Sequence, residues 1–152
     1  MSATLHTLLE QAQAARDTAQ AQLAQAEALH QRLREQAQQL QDYREDYRRR
    51  APALQGRSAS IELVRCHQGF MARLDQAIDQ QRLQLDAAAQ QVQRQRAELL
   101  DCELRLASVR KLHERREADQ RRVLARREQN HSDEMALRLA LARRTQGLTP
   151  EH

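Results

Sequence analysis

The stretch from Ser58 to about Gln146 constrains the fold of this chain most, because it contains almost nothing that ends a helix. It has one glycine, Gly69, and no proline, whereas ordinary helices are interrupted within a few turns. At 1.5 Å per residue, a continuous helix of this length would span roughly 130 Å, well beyond a helix of a globular domain. The stretch therefore predicts one very long helix.

Apolar residues recur every seven positions along this helix. The first set is Val64, Met71, Ile78, Leu85, Val92, Leu99 and Leu106. A second set, three residues further on, is His67, Leu74, Gln81, Ala88, Gln95, Cys102 and Val109. Such a repeat is the seam of a coiled coil and requires a partner helix. After Val109 the same positions become largely polar: His113, Arg116, Gln120, Val123, Arg127 and Asn130.

The first fifty residues carry a matching seam. Its two sets are Leu5, Ala12, Ala19, Ala26, Leu33, Leu40 and Tyr47, and Leu9, Arg16, Leu23, His30, Ala37 and Arg44. Pro52 and Gly56 mark a turn between the two helices, and Ser58 or Ser60 is a suitable N-cap for the second one. The pattern predicts helix 3–50, turn 51–57 and helix 58–146.

The predicted turn also sets a register. If it centres near residue 54, residue i faces about residue 108 − i, so Leu5 lies opposite about residue 103. The first helix then runs out near Val109, where the seam of the second helix stops. The expected fold is all-α, a single domain over residues 1–152. It is a long antiparallel two-helix coiled-coil hairpin with a seam to about residue 109 and an overhang over residues 110–146.

The amino-acid composition limits the class of protein to which the chain can belong. Aromatic residues make up 2% of the chain and charged residues 30%, which suits a coiled coil and not a thick globular core. No apolar run approaches the roughly 20 residues of a membrane span, and the N-terminus does not resemble a signal peptide. Cys66 and Cys102 lie roughly 54 Å apart on one helix and cannot form an intrachain disulfide. We therefore expect a cytoplasmic protein.

Catalytic motifs are missing from the sequence, and a two-helix hairpin offers no deep pocket. We predict no enzyme activity, no cofactor and no metal site. The net charge of +4 raises the possibility of a nucleic-acid-binding rod. Acidic residues interleave with the arginines and aromatic residues for base stacking are almost lacking, so we expect no nucleic-acid partner. A generic coiled-coil scaffold is a further alternative.

Two surfaces have open interpretations. Phe70 flanks the seam and shares a helical face with Leu74, Ala77 and Gln81. It either broadens the seam by packing on Tyr43 or Leu40, or forms an exposed patch that docks in a groove. The charged overhang is either a solvated helix with ion pairs four residues apart or a docking surface for an acidic partner.

Three stretches resemble the FliJ family, the stalk proteins of the bacterial flagellar type III export apparatus. They are Leu5-His6-Thr7-Leu8-Leu9-Glu10, the segment from Asp42 to Arg48 with its D-Y-x-x-x-Y-R pattern, and the segment from Phe70 to Ile78. The likeness continues through Lys111-Leu112-His113-Glu114-Arg115-Arg116. Injectisome type III secretion stalk proteins share the architecture and are the alternative family.

The resemblance implies a non-enzymatic stalk at the cytoplasmic face of the inner membrane, associated peripherally with membrane machinery. Its partners would be the pore of a hexameric export ATPase, the cytoplasmic domain of an FlhA-like export gate, and export chaperones. By this likeness the gate-binding residues are Phe70, Leu74, Ala77 and Gln81, although relatives often have histidine at the last position. The ATPase-contacting residues would be Arg121, Arg122, Arg126 and Arg127.

Overall fold

The computed structural model describes residues 2–55 and 60–147, and the side chains of residues 3–50 and 60–147. Helix α1 covers Ser2–Gln55 and helix α2 covers Ile61–Gly147. The described residues contain no strand, and the two helices pack against each other in antiparallel directions. The predicted all-α helical hairpin is confirmed.

The hairpin end differs from the predicted turn. Helix α1 passes Pro52 and continues to Gln55, because a proline in the last turn removes one backbone hydrogen bond without disrupting the long ladder before it. Helix α2 begins at Ile61, where the Ser60 carbonyl accepts hydrogen bonds from the amides of Leu63 (3.0 Å) and Val64 (3.3 Å). Ser60 Oγ accepts a further bond from Leu63 N at 3.4 Å, so Ser60 is the N-cap. Gly56 and Ser58 lie outside the described residues.

The heptad seam is the core of the structure. All 14 predicted seam positions of α2, from Val64 to Val109, are buried or half-buried, and so are all 13 of α1, from Leu5 to Tyr47. Small residues occupy the most buried positions of α1: Ala12, Ala19 and Ala26 are 2–9% exposed. Because alanine is small, it allows the two helix backbones to approach closely at these positions.

The predicted register is wrong by about two to three helical turns. Arg44 pairs with Asp75, whereas the predicted turn placed it opposite about residue 64. The reversal centres between Gln55 and Ile61, beyond the predicted centre near residue 54. Because a seam repeats every seven residues, sliding the helices by whole turns still brings seam residues together. Periodicity alone therefore does not determine the register.

The chain divides into two compact units. The larger unit, Gln11–Arg105, contains most of the seam. The smaller unit combines Met1–Glu10 with Leu106–His152. Within the smaller unit, Leu5 packs beside His113 and Arg116, and α2 is half-buried as far as Ala118. Partial burial of α2 thus extends beyond the predicted limit near residue 109. Every residue from 119 to 147 is exposed. We call residues 119–147 the exposed segment.

Candidate functional site

An aromatic cluster forms where α1 and α2 approach the hairpin end of the larger unit. It brings together Tyr43, Tyr47 and Phe70, which are the three aromatic residues of the chain. The ring of Phe70 lies 4.6 Å from that of Tyr47 and 6.2 Å from that of Tyr43, measured between centroids. The two tyrosines meet because they are one helical turn apart on α1. The cluster anchors this end of the seam.

His67 completes the cluster. Its ring stacks on Tyr47 with centroids 4.5 Å apart and planes 9° apart, and its Nε2 lies 3.3 Å from the carbonyl oxygen of Tyr47. A polar residue is thus accommodated at a seam position through stacking and a backbone partner. The sequence did not indicate this stack, because the predicted register placed Tyr47 opposite about residue 61.

The predicted gate-binding residues are partly occupied by the hairpin itself. Leu74 is only 7% exposed and belongs to the core. Phe70 and Ala77 are half-buried, and the contact of Phe70 with Tyr43 shows the seam packing that the sequence left open. Binding of the export gate by these residues stays a prediction.

Gln81 joins the two helices. Its Nε2 donates to the carbonyl oxygen of Leu33 at 3.4 Å and to Oε1 of Gln36 at 3.3 Å. It also lines a cavity of about 150 Å³ whose apolar wall includes Leu40, Ile78 and Leu85. The side-chain amide therefore finds hydrogen-bond acceptors on α1, which explains a polar residue in the seam.

Two ion pairs join α1 and α2 within the larger unit. Arg44 Nε donates to Asp75 Oδ1 at 2.6 Å, close to the aromatic cluster. Arg96 lies 3.7 Å from Glu27. Both pairs connect α1 with α2 and fit an antiparallel register. Sequence reasoning missed them because a pairing between helices depends on the register.

A forked hydrogen bond on α1 perturbs one carboxylate. Arg48 donates from Nη2 to Glu45 Oε1 at 2.9 Å and from Nε to Oε2 at 3.3 Å. This hydrogen bonding, with the charges of Arg48, Arg49 and Arg44, lowers the pKa of Glu45 and outweighs its partial desolvation. The same contact raises the pKa of Arg48. Glu45 therefore binds a proton less readily than an ordinary glutamate side chain.

The two cysteines lie in different environments. Cys66 is exposed, whereas Cys102 is buried in the seam and contacts Glu98 Oε1 at 3.8 Å. Burial, followed by the negative charge of Glu98, raises the pKa of the Cys102 thiol. In the part of the chain that the structure describes, no group of three or more His, Cys, Asp or Glu side chains is placed to hold a metal ion.

The predicted ATPase-contacting arginines all lie in the exposed segment. Arg121 Nε donates to the carbonyl oxygen of Glu117 at 3.4 Å. Among the described residues, none of Arg121, Arg122, Arg126 and Arg127 forms a salt bridge. The ion pairs four residues apart that are expected of a helix exposed only to solvent are thus not formed at these arginines.

Charge is distributed unevenly along the sequence. Residues 1–109 contain fourteen basic and fourteen acidic side chains, whereas residues 110–152 contain eleven basic and seven acidic ones. The net charge of +4 therefore resides entirely in the last part of the chain. The exposed segment contributes seven arginines and four carboxylates. It presents a basic surface that is not neutralised by the hairpin.

A family model described as "Flagellar FliJ protein" matches residues 1–145. The chain belongs to the FliJ family. It is a flagellar export-related stalk protein, and the family acts in flagellar assembly, type III export and protein transport as a structural component. Comparison with curated proteins and with solved structures found no match.

The FliJ match covers both helices, including the exposed segment as far as residue 145. Within the described residues, no helix has the length and apolar character needed to cross a membrane. Residues 1–145, which the family model matches, include the aromatic cluster and the arginines of the exposed segment.

Proposed function

We propose that the chain is a non-enzymatic stalk that couples the hexameric export ATPase to the export gate of the flagellar export apparatus. In this proposal it acts in the cytoplasm, at the inner membrane but not within it. The exposed segment enters the ATPase pore, and the face at Phe70 contacts the cytoplasmic domain of an FlhA-like gate. Export chaperones are a further partner, and that contact rests on the family resemblance.

The observation that carries the ATPase contact is the combination of exposure and charge in residues 119–147. Arg121, Arg122, Arg126 and Arg127 are exposed without a carboxylate partner among the described residues. Guanidinium groups in this state are free to form forked hydrogen bonds with carboxylates of another protein. The proposal therefore requires carboxylates on the wall of the ATPase pore.

The gate contact is supported by the position of Phe70. Its ring is fixed by Tyr47 and Tyr43 and remains partly exposed, so little conformational entropy is lost when a partner covers it. Leu74 lies beneath this surface and serves as its support, because it is almost fully buried. The binding surface that we propose is therefore Phe70 with the neighbouring Ala77 and Gln81.

The ATPase contact is tested by replacing the four arginines Arg121, Arg122, Arg126 and Arg127 with glutamine. Binding to the purified hexameric ATPase is measured by fluorescence anisotropy over a range of salt concentrations. We expect at least about a tenfold loss of affinity and a weaker dependence on salt than in the wild-type protein, because charge pairs are screened by salt.

A matched control carries the same change of charge on the hairpin. It replaces Arg32, Arg34, Arg73 and Arg94 with glutamine. These four side chains face solvent, and they lie on the hairpin and not in residues 119–147. We expect the control to bind within about twofold of the wild-type protein, since long-range charge effects are largely screened at physiological salt. Equal losses in both variants would show that net charge, and not the exposed segment, governs binding.

A further inference from the structure

Polar and apolar residues alternate along one of the two seam sets of each helix. In the larger unit, this alternating set of α1 is Arg16, Leu23, His30, Ala37 and Arg44. The alternating set of α2 is His67, Leu74, Gln81, Ala88, Gln95 and Cys102. All of these residues are buried or half-buried. Both sets therefore repeat every two heptads, and the order of polar and apolar layers depends on the register.

The observed register places the two alternating sets out of step. Ala37 and Gln81 line the same cavity, and the bond from Arg44 to Asp75 fixes the neighbouring turn. Counting in sevens from these contacts gives the layers Arg16–Cys102, Leu23–Gln95, His30–Ala88, Ala37–Gln81 and Arg44–Leu74. Each layer thus joins a polar or charged side chain to an apolar one.

Packing is imperfect at two of these layers. Oε1 of Gln95 is buried and has no hydrogen-bond partner among the described residues, and the register places the apolar Leu23 opposite it. Between Ala37 and Gln81 the seam leaves the cavity of about 150 Å³. Because a buried acceptor without a partner loses its water without replacement, the observed register carries a cost at Gln95.

A slide of α1 by one heptad toward the hairpin end brings the sets into step. The layers become Arg16–Gln95, Leu23–Ala88, His30–Gln81, Ala37–Leu74 and Arg44–His67. Polar residues then face polar ones, and apolar residues face apolar ones. The guanidinium of Arg16, which bonds Asp17 at 2.7 Å in the observed register, supplies a donor for Gln95 Oε1. The remaining seam sets are apolar or aromatic throughout, so they are buried in either register.

The end of α1 provides the length of chain that the slide requires. Pro52 removes a backbone donor from the last turn of α1 and disfavours helical geometry at Ala51. Residues 51–55 are therefore the turn of α1 that unwinds at least cost. Their unwinding lengthens the reversal while α1 advances by about 10 Å, the rise of seven residues. A slide in the opposite direction would uncover about two turns at the start of α2.

The observed register has contacts that the slide breaks. They are the Arg44–Asp75 bond, the bond from Gln81 to the Leu33 carbonyl oxygen, and the stack of His67 on Tyr47. The slide also moves Tyr47 away from Phe70, whose rings are 4.6 Å apart in the observed register. The two registers are thus stabilised by different contacts, one by specific bonds near the hairpin end and the other by matched layers along the seam.

We infer that the hairpin of the larger unit has two registers one heptad apart, the observed one and a second in which polar layers face polar layers. Passing from one to the other moves α1 along α2 and rearranges the aromatic cluster in the same step. A change at one end of the seam is therefore felt at the other. This inference concerns the hairpin alone and does not depend on the partners proposed above.

Cysteine pairs in the full chain distinguish the two registers, with Cys66→Ser in every variant. Leu23→Cys is combined with Gln95→Cys for the observed register, or with Ala88→Cys for the second one, and both variants carry Cys102→Ala. The control combines Leu23→Cys with the native Cys102, which lies seven residues from Gln95 in the opposite direction. Circular dichroism checks that each variant is helical. Oxidised glutathione is the oxidant, and mass spectrometry of dilute protein counts intramolecular disulfides.

The Gln95 pair should close fastest, because its positions face each other in the observed register. The Ala88 pair should close at least about tenfold faster than the Cys102 pair, since only the second register brings its thiols within reach. Each rate is divided by the alkylation rate of the same thiol on α2, because the thiolate fraction differs between sites. Equal rates for the Ala88 and Cys102 pairs overturn the inference, and so does closure of the Gln95 pair alone.

Two further substitutions shift the balance in opposite directions. Asp75→Asn removes a bond of the observed register and should raise the rate of the Ala88 pair about twofold or more. Gln95→Leu replaces the buried unpaired acceptor with an apolar side chain, which favours the observed register and should lower that rate about fivefold or more. General loosening of the seam would instead raise the rates of the Ala88 and Cys102 pairs together in Asp75→Asn. That result, or a Gln95→Leu rate that does not fall, contradicts the second register.

Discussion

Arg44 of α1 and Asp75 of α2 are joined by a hydrogen bond of 2.6 Å between Nε and Oδ1. The pair is separated by 31 positions in the sequence and lies beside the aromatic cluster. Its side chains are 35% and 51% exposed, so water screens much of the attraction. The pair is valuable mainly because it reports the register of the two helices.

We expect the Arg44–Asp75 pair to contribute about 0.5 kcal/mol to the free energy of unfolding. A double-mutant cycle with Arg44→Gln and Asp75→Asn, measured by urea unfolding, gives the coupling energy. The coupling should shrink at high salt, as expected of partly exposed charges. The control cycle uses Arg44 and Asp79, which are not paired; coupling of equal size there would contradict the observed register.

Leu106 should be among the most sensitive positions for stability. It is 2% exposed, and Leu106→Ala leaves a cavity in the seam that costs about 2–4 kcal/mol. The matched control is Leu100→Ala, at a site 55% exposed, which should cost less than about 1 kcal/mol. The shift of the urea midpoint measures both. Similar midpoints for the two variants would show that Leu106 is not in the core.

Phe70→Ala should weaken binding to the cytoplasmic domain of the export gate about tenfold or more, because it removes a fixed aromatic ring from the proposed surface. Leu83→Ala, on the same helix and 70% exposed, is the control. Isothermal titration calorimetry measures both affinities.

The free energy of unfolding of each Phe70 variant must be measured as well as its affinity, because Phe70 also packs on Tyr47. Phe70→Leu keeps an apolar side chain in the seam and separates the two effects. If Phe70→Ala and Phe70→Leu both bind normally, the gate does not contact this face.

The Glu45 carboxylate should titrate below the ordinary range of a glutamate, because Arg48 donates two hydrogen bonds to it. Its pKa is lower in the folded chain than in the unfolded one, so the folded state binds fewer protons in acid. The stabilisation is therefore complete above the unfolded pKa of about 4.3 and is lost as pH falls through the folded value.

Carbon-detected NMR titration of Glu45 measures this pKa directly. In Arg48→Gln the pKa of Glu45 should rise, while Arg50→Gln, which removes a nearby arginine that is not paired with Glu45, should change it less. An unchanged pKa in Arg48→Gln would contradict the assigned cause.

Cys66 should react with a thiol-specific alkylating reagent much faster than Cys102. Cys66 is exposed, whereas Cys102 is buried and the pKa of its thiol is raised, which reduces the reactive thiolate. Mass spectrometry after brief labelling of the native chain measures the two rates. Urea should abolish the difference, because unfolding exposes both thiols. Equal rates in the native chain would show that the seam opens at Cys102.

The heptad pattern predicted the fold and the buried positions of both helices from Leu5 to Val109. It did so because burial on a helix depends on which face a residue occupies, and that follows from local spacing. The register did not follow from the pattern. It depends on where α1 ends, and Pro52 did not end it.

Binding by the candidate site stays a prediction, but the packing of its residues can be compared with what the sequence suggested. Phe70, Leu74, Ala77 and Gln81 share a face of α2 by their spacing, and Leu74 belongs to the hairpin core. The stack of His67 on Tyr47 and the hydrogen bonds of Gln81 to α1 required the true register. The exposure of residues 119–147 was expected from the loss of the seam, although coverage persists to Ala118.

The exposed segment and the seam also differ in how their backbone hydrogen bonds are protected. Its backbone hydrogen bonds are protected only by its own turns, so they open and close as those of an isolated helix do, whatever the strength of the seam. Local opening or cleavage within residues 119–147 would leave the alanine-lined contact between the helices unchanged. The end of the heptad repeat therefore separates helical turns that are covered by a second helix from helical turns that have only their own hydrogen bonds.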